Sequence, residues 1–68
     1  MSPTRRQLAT RLKRTREAQG LTQVDVAKKA RITRQYLYKL ESGKADPTVA
    51  VFQRLAKALG VPVTALLE

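Results

Sequence analysis

Two short polar groups, Thr22-Gln23 and Thr33-Arg34-Gln35, each stand directly ahead of a stretch with helical apolar spacing. A threonine in that place caps a helix, because its hydroxyl oxygen accepts the otherwise orphaned amide three residues on. Asp25, at the third position after Thr22, adds a weak capping box. The Gln and Arg-Gln side chains therefore leave from helix N-termini, where anions are favoured by free N–H groups and by the helix dipole. Their chemistry is hydrogen bonding and charge neutralisation. Covalent chemistry has little to work with: the 68 residues include no Cys and no His. Disulfides, thiolate or imidazole metal sites and nucleophile-histidine pairs are excluded, and no cofactor is implied. The carboxylates Glu17, Asp25, Glu41, Asp46 and Glu68 are scattered, with no converging acid and base pair. An enzyme is the least favoured class.

The charge points to an anionic partner. Fourteen Lys and Arg oppose five Asp and Glu, a net +9, and self-repulsion at that level opposes compaction unless a polyanion is bound. Residues 1–44 hold twelve bases and three acids, whereas the two bases and two acids of residues 45–68 cancel. The basic excess thus sits in the first two thirds, and the neutral last third is free to self-associate.

The elements that must position these groups are all helical. One domain over residues 1–68 is expected, and a core this small supplies no more than roughly 3–5 kcal/mol. The spacing predicts a first helix from about Thr4 to Gln19, with Leu8, Leu12 and Thr15 inward and Gly20 as its stop. A second follows Thr22, with Val26, Ala27 and Ala30 inward. A third runs from Arg34 to Glu41 over Leu37 and Leu40, ended by Ser42-Gly43. Thr48 caps a fourth that turns Val49, Phe52, Leu55, Ala56 and Leu59 inward and closes at Gly60. Val63 to Leu67 makes a short fifth. Nothing alternates with the period of a strand. Ala27 is small where the second and third helices must approach closely.

The stretch LTQVDVAKKARITRQYLYKLESGKADPT resembles the helix-turn-helix of the lambdoid phage repressor and Cro-like proteins, the XRE family, and the likeness continues through LAKALGVPVTALL. The resemblance implies a five-helix, all-α, lambda-repressor-like DNA-binding domain with its helix-turn-helix at about residues 22–41. In that family the third helix lies in the major groove and the second crosses the backbone. Arg34, Gln35, Tyr38 and Lys39, opposite Leu37 and Leu40, are then the base-reading residues. An Arg donates two bonds to guanine O6 and N7 and a Gln pairs with adenine N6 and N7, each worth about 1–3 kcal/mol of discrimination. Tyr38 can pack on a thymine methyl or bond a phosphate. The same geometry gives Thr22, Gln23, Thr33, Tyr36, Lys44 and the free amides around Gly43 to phosphates, with Tyr36 evenly divided between that role and the core. Arg16 and Glu41 fall at family positions that form a structural ion pair. Arg31 departs from the family in standing where the turn usually has Gly, so a left-handed backbone there costs roughly 1 kcal/mol or more, which a phosphate contact would offset. Thr15 replaces a larger apolar residue, and Val24 is an exposed apolar side chain with no physical account.

Val61, Val63, Leu66 and Leu67 exceed what a short terminal hairpin buries, so segment 60–68 is expected to form a two-fold dimer interface. Such a dimer places its third helices about 34 Å apart and reads a palindrome. The expected function is a sequence-specific regulator of transcription, a repressor or autoregulator on double-stranded DNA. The alternative is an antitoxin or controller protein that also binds another protein. A basic membrane binder is disfavoured, because Leu8 and Leu12 form too narrow a stripe. No small-molecule effector is legible, and the absence of an apolar run long enough for a signal or span predicts a cytoplasmic, nucleoid-associated protein.

Overall fold

Threonine starts four of the helices. In the computed structural model, which describes residues 4–67, Thr4, Thr22, Thr33 and Thr48 all have extended backbone, and each hydroxyl oxygen accepts the amide three residues on at 3.0–3.1 Å. Gln7 and Asp25 return the bond to the amides of Thr4 and Thr22 at 3.0 and 2.9 Å, closing two capping boxes. The helices are α1 (Arg5–Ala18), α2 (Gln23–Ala30), α3 (Arg34–Glu41), α4 (Val49–Leu59) and α5 (Val63–Leu67), and no strand occurs among the described residues.

One core joins them. Leu12, Val26, Leu37, Leu55 and Leu66 are its largest fully buried side chains, and Ala27, Ala30 and Ala56 fill the close approaches among α2, α3 and α4. Burying a Leu or Val contributes about 1.5–3 kcal/mol each. These few side chains therefore carry most of what stabilises the domain. Polar ties pin the helix ends: Gln19 Nε2 donates to the Leu59 carbonyl at 2.6 Å, and Arg54 Nε to the Ala30 carbonyl at 2.8 Å. Arg31 ends α2 in the left-handed region at φ 59°, ψ 44°, and is the one non-glycine with positive φ among the described residues.

Three expectations need correction. Val49 is 76% exposed and Val51 is buried in its place. The inward stripe of α4 is Val51, Leu55, Ala56 and Leu59, and Val49, two residues and about 200° of helical rotation from Val51, cannot share it. Phe52 packs at the margin, half-buried. Leu66 is fully buried in the monomer core, and Val61 and Val63 lie half-buried against it, so of the four residues expected at a dimer face only Leu67 is largely free, at 42% exposure. The hairpin buries more than its length suggested because α5 folds back onto both α1 and α4. Thr15, expected inward, is half-buried and spends its hydroxyl on the Arg11 carbonyl, while Ala9 takes a buried place on α1. No described helix is long and apolar enough to cross a membrane.

Candidate nucleic-acid interface

The surface that presents α3 is built on a buried polar network. Arg16 Nε donates to Glu41 Oε2 at 2.7 Å and Nη2 to Oε1 at 2.9 Å, while Nη1 donates to the Leu21 carbonyl at 2.9 Å. Gln23 Nε2 completes the set by donating to Glu41 Oε1 at 3.1 Å. The Arg16 and Glu41 side chains are 11% and 3% exposed, and among the described residues no buried side-chain nitrogen or oxygen lacks a partner. The hydrogen bond to Glu41 raises the Arg16 pKa above its ordinary value despite desolvation, so the guanidinium is charged at every working pH. One forked pair thus locks the end of α3 to α1, and Gln23 extends the lock to the start of α2.

Above this base, Arg34, Gln35, Tyr38 and Lys39 gather along one open cleft of about 390 Å³ on α3. All four are exposed, and Tyr38 is 52% so. The arrangement follows from helical spacing: residues 34 with 38 and 35 with 39 are neighbours one turn apart, and the opposite face is committed to buried Leu37 and Leu40. Arg34 and Gln35 stand in the first turn, directly behind the Thr33 cap. Lys44 Nζ lies 5.9 Å from the centre of the Tyr38 ring, a contact that orients both side chains at a gain of about 0.5–1 kcal/mol.

The residues expected to meet phosphates are arranged less uniformly. Thr22 and Thr33 each accept an amide but keep a hydroxyl hydrogen to donate. Gln23 spends one N–H on Glu41 and retains a second. Tyr36 is half-buried against the core, and its hydroxyl donates to the Asp46 carbonyl at 3.2 Å, which ties the loop after α3 to the helix. The amides around Gly43 are not free. Those of Ser42, Gly43 and Lys44 donate to the Tyr38, Leu40 and Lys39 carbonyls at 2.9, 3.3 and 2.9 Å, because the end of α3 needs them to satisfy its own last carbonyls. Gly43 earns its place through a backbone at φ +73°, and the loop's free charge is the Lys44 ammonium. The Ser42 hydroxyl also donates to the Tyr38 carbonyl.

Sequence reasoning missed Lys13. It lines a second small cleft, of about 230 Å³, with Gln23, Tyr38, Glu41 and Ser42, which adjoins the α3 cleft through Tyr38. The available signal was its spacing: three residues before Arg16, it shares the helix face whose partner is the end of α3. Asp25 on α2 is acidified by its place in the capping box. The backbone N–H of Thr22 and then the Thr22 side chain, helped by Lys29 and Lys28, hold its carboxyl below the ordinary carboxylate range.

Known proteins match this sequence and this geometry. The family described as Helix-turn-helix, HTH_3, matches residues 12–66. An immunity repressor protein of Bacillus phage phi105 is 38% identical over 56 residues, covering 82% of this chain and 39% of the repressor. An uncharacterized HTH-type transcriptional regulator, y4dJ, of Sinorhizobium fredii is 40% identical over 57 residues, covering 84% of this chain and 74% of its own. The chain therefore spans about two fifths of the phage protein and three quarters of the bacterial one. Among solved structures, the restriction-modification controller protein C.AhdI of Aeromonas hydrophila superposes with a TM-score of 0.91 at 27% identity, over 93% of this chain and 96% of the controller. The clp gene regulator ClgR of Corynebacterium glutamicum superposes with a TM-score of 0.89 at 27% identity, over 97% of this chain and 71% of ClgR.

Proposed function

The chain belongs to the HTH_3 family of helix-turn-helix, DNA-binding transcriptional regulators, and from that premise we propose that it binds a palindromic operator as a homodimer and represses transcription by occupying it. The observation that carries this reading is the gathering of Arg34, Gln35, Tyr38 and Lys39 on one open cleft of α3, above a network that fixes the angle of that helix. Arg34 and Gln35 read base edges, Tyr38 and Lys39 read or flank them, and Thr22, Gln23, Thr33, Lys13 and Lys44 hold phosphates. The protein acts by binding, in the cytoplasm at the nucleoid, without catalysis.

The two-fold contact is assigned to a face that keeps only Leu67 of the terminal hairpin. Leu67 and Val49 are exposed large apolar residues, and with Leu8, Pro47 and Phe52 they border a groove of about 220 Å³. Its one charged residue, Asp46, is paired with Arg5 at 2.8 Å. A second copy of this chain, presenting the same apolar face, fits that groove by the self-complementarity of a two-fold axis. The near end-to-end superposition on the restriction-modification controller protein C.AhdI supports a second reading, a controller protein that also binds another protein; both readings share the DNA contact.

Selection of bound sequences from a random duplex pool tests the proposal. It should enrich a palindrome whose half-sites lie about 34 Å, or one helical turn, apart. Recovery of no sequence preference would overturn it. Sedimentation at micromolar concentration tests the pairing: a dimer that Leu67→Asp converts to monomer agrees, and a strict monomer both free and on DNA does not.

A further inference from the structure

Outside the reading face, Lys29, Arg31, Arg54 and Lys57 converge with Ala58 around a cleft of about 520 Å³. None of the four lines either cleft beside α3, all four are exposed, and no acid is among the lining residues. We propose that this cleft is a second anion-binding site, which takes the side-chain carboxylates of an acidic segment of another protein while DNA occupies α3.

Four like charges brought to one cleft repel each other, and elements of the fold account for three of them. Lys29 and Lys57 stand in the last turns of α2 and α4, where a cation is favoured by the helix dipole. Arg54 Nε satisfies the Ala30 carbonyl at the end of α2. That bond also fixes the guanidinium, whose terminal nitrogens have no partner among the described residues. Arg31 has no such task. Arg31 moreover holds a left-handed backbone, φ 59° and ψ 44°, which a glycine would adopt without strain. A long cationic side chain kept at a position where the backbone disfavours any side chain is a strain outlier that points to a use for the side chain. A fixed guanidinium, a second arginine and two ammonium groups suit carboxylates, which accept forked bonds from arginine and point-charge bonds from lysine.

The placement favours a protein over the bound duplex. α2 turns its N-terminal Thr22 and Gln23 toward the reading side and its C-terminal end toward this cleft. Eight residues of helix separate the two ends by about 12 Å. The cleft shares no lining residue with either cleft beside α3, so a duplex whose contacts lie on the α3 face leaves these cations to an acidic partner, which is thereby recruited to the operator.

The probe is a fluorescein-labelled peptide of twelve glutamates, titrated into the full chain, free and saturated with its selected duplex, at physiological salt. The saturated complex should bind the peptide. Arg31→Gly combined with Lys57→Gln should lower that affinity about tenfold or more. Lys57→Gln alone should weaken the peptide and leave duplex affinity unchanged. Arg31→Gly alone should raise the melting midpoint by a few degrees, which separates lost binding from lost folding. The proposal is overturned if saturating duplex displaces the peptide, if the double variant binds it as tightly as the parent, or if Lys57→Gln weakens duplex and peptide alike, which would make the cleft a DNA contact. Because the free chain is titrated as well, a failure to bind duplex at all would count against the regulatory reading while the peptide still tests the cleft.

Discussion

The exposed cleft of α3 and the buried network beneath it use the same residue types to opposite ends. Arg34 and Gln35 are exposed and make no side-chain hydrogen bond within the described fold; Arg16 and Gln23 spend their donors on Glu41. A free donor on a rigid helix is ready to read a base edge, whereas a committed donor sets where that helix lies. An arginine's role here is therefore decided by burial and partner rather than by charge. Substitutions at Arg34 and Gln35 should change affinity and those at Arg16 and Glu41 stability, with Gln23, which spends one N–H on Glu41 and keeps another, contributing to both.

The largest effect is expected below. Glu41→Ala strands the Arg16 charge in a nearly buried site, and loss of one partner of such a pair costs about 3–5 kcal/mol, comparable with the stability of a domain this small. Thermal unfolding followed by circular dichroism should show no cooperative transition at 37 °C; a midpoint equal to the parent's would remove the network from the account. Above, Gln35→Ala should leave the melt unchanged and cost about 1–3 kcal/mol of discrimination at a single operator position, read by competition between operator and single-site variants. Loss spread evenly over all sequences would reassign Gln35 from reading to positioning. Lys44→Ala sharpens the contrast at smaller scale. It should weaken operator and random duplex alike and reduce the slope of log affinity against log salt by about 1.

The smallest effect is a pH dependence on the supporting side. The Asp25 carboxyl is held below the ordinary carboxylate range by its bonds from Thr22. Its contribution is fully present above the unfolded value, about 3.9, and is lost as pH falls through the lower folded value, when the capping box loses its anion. Asp25→Asn should therefore lower the neutral plateau slightly and flatten the acid limb, leaving stability below the folded value nearly unchanged. An acid limb with the parent's slope would assign that limb to other groups.

How far the sequence could be read follows the same division. Helix starts were legible because a capping threonine acts within three residues, and Thr22, Thr33 and Thr48 cap where they were expected to. The α3 face was legible because i, i+4 spacing alone decides which side chains share it. Contacts between elements were less so. Whether Val49 or Val51 faces in depends on the rotation of α4 against α2, and whether Leu66 is covered depends on how far α5 folds back; neither is a local property. The amides around Gly43 were assigned to phosphate because the helix's own need for them lies in the geometry of its last turn. The basic cleft was hidden by counting charge along the chain: Arg54 and Lys57 belong to the neutral last third in sequence, yet in space they join Lys29 and Arg31.

The central claim is that α3 reads DNA from a scaffold that does not itself read. It is tested most directly by the ratio of operator to random-duplex affinity in Arg34→Ala, measured at one salt concentration alongside its melting curve. The account predicts a ratio lower by about 5- to 150-fold, the equivalent of 1–3 kcal/mol, with an unchanged melt. An unchanged ratio in a fully folded variant would contradict it.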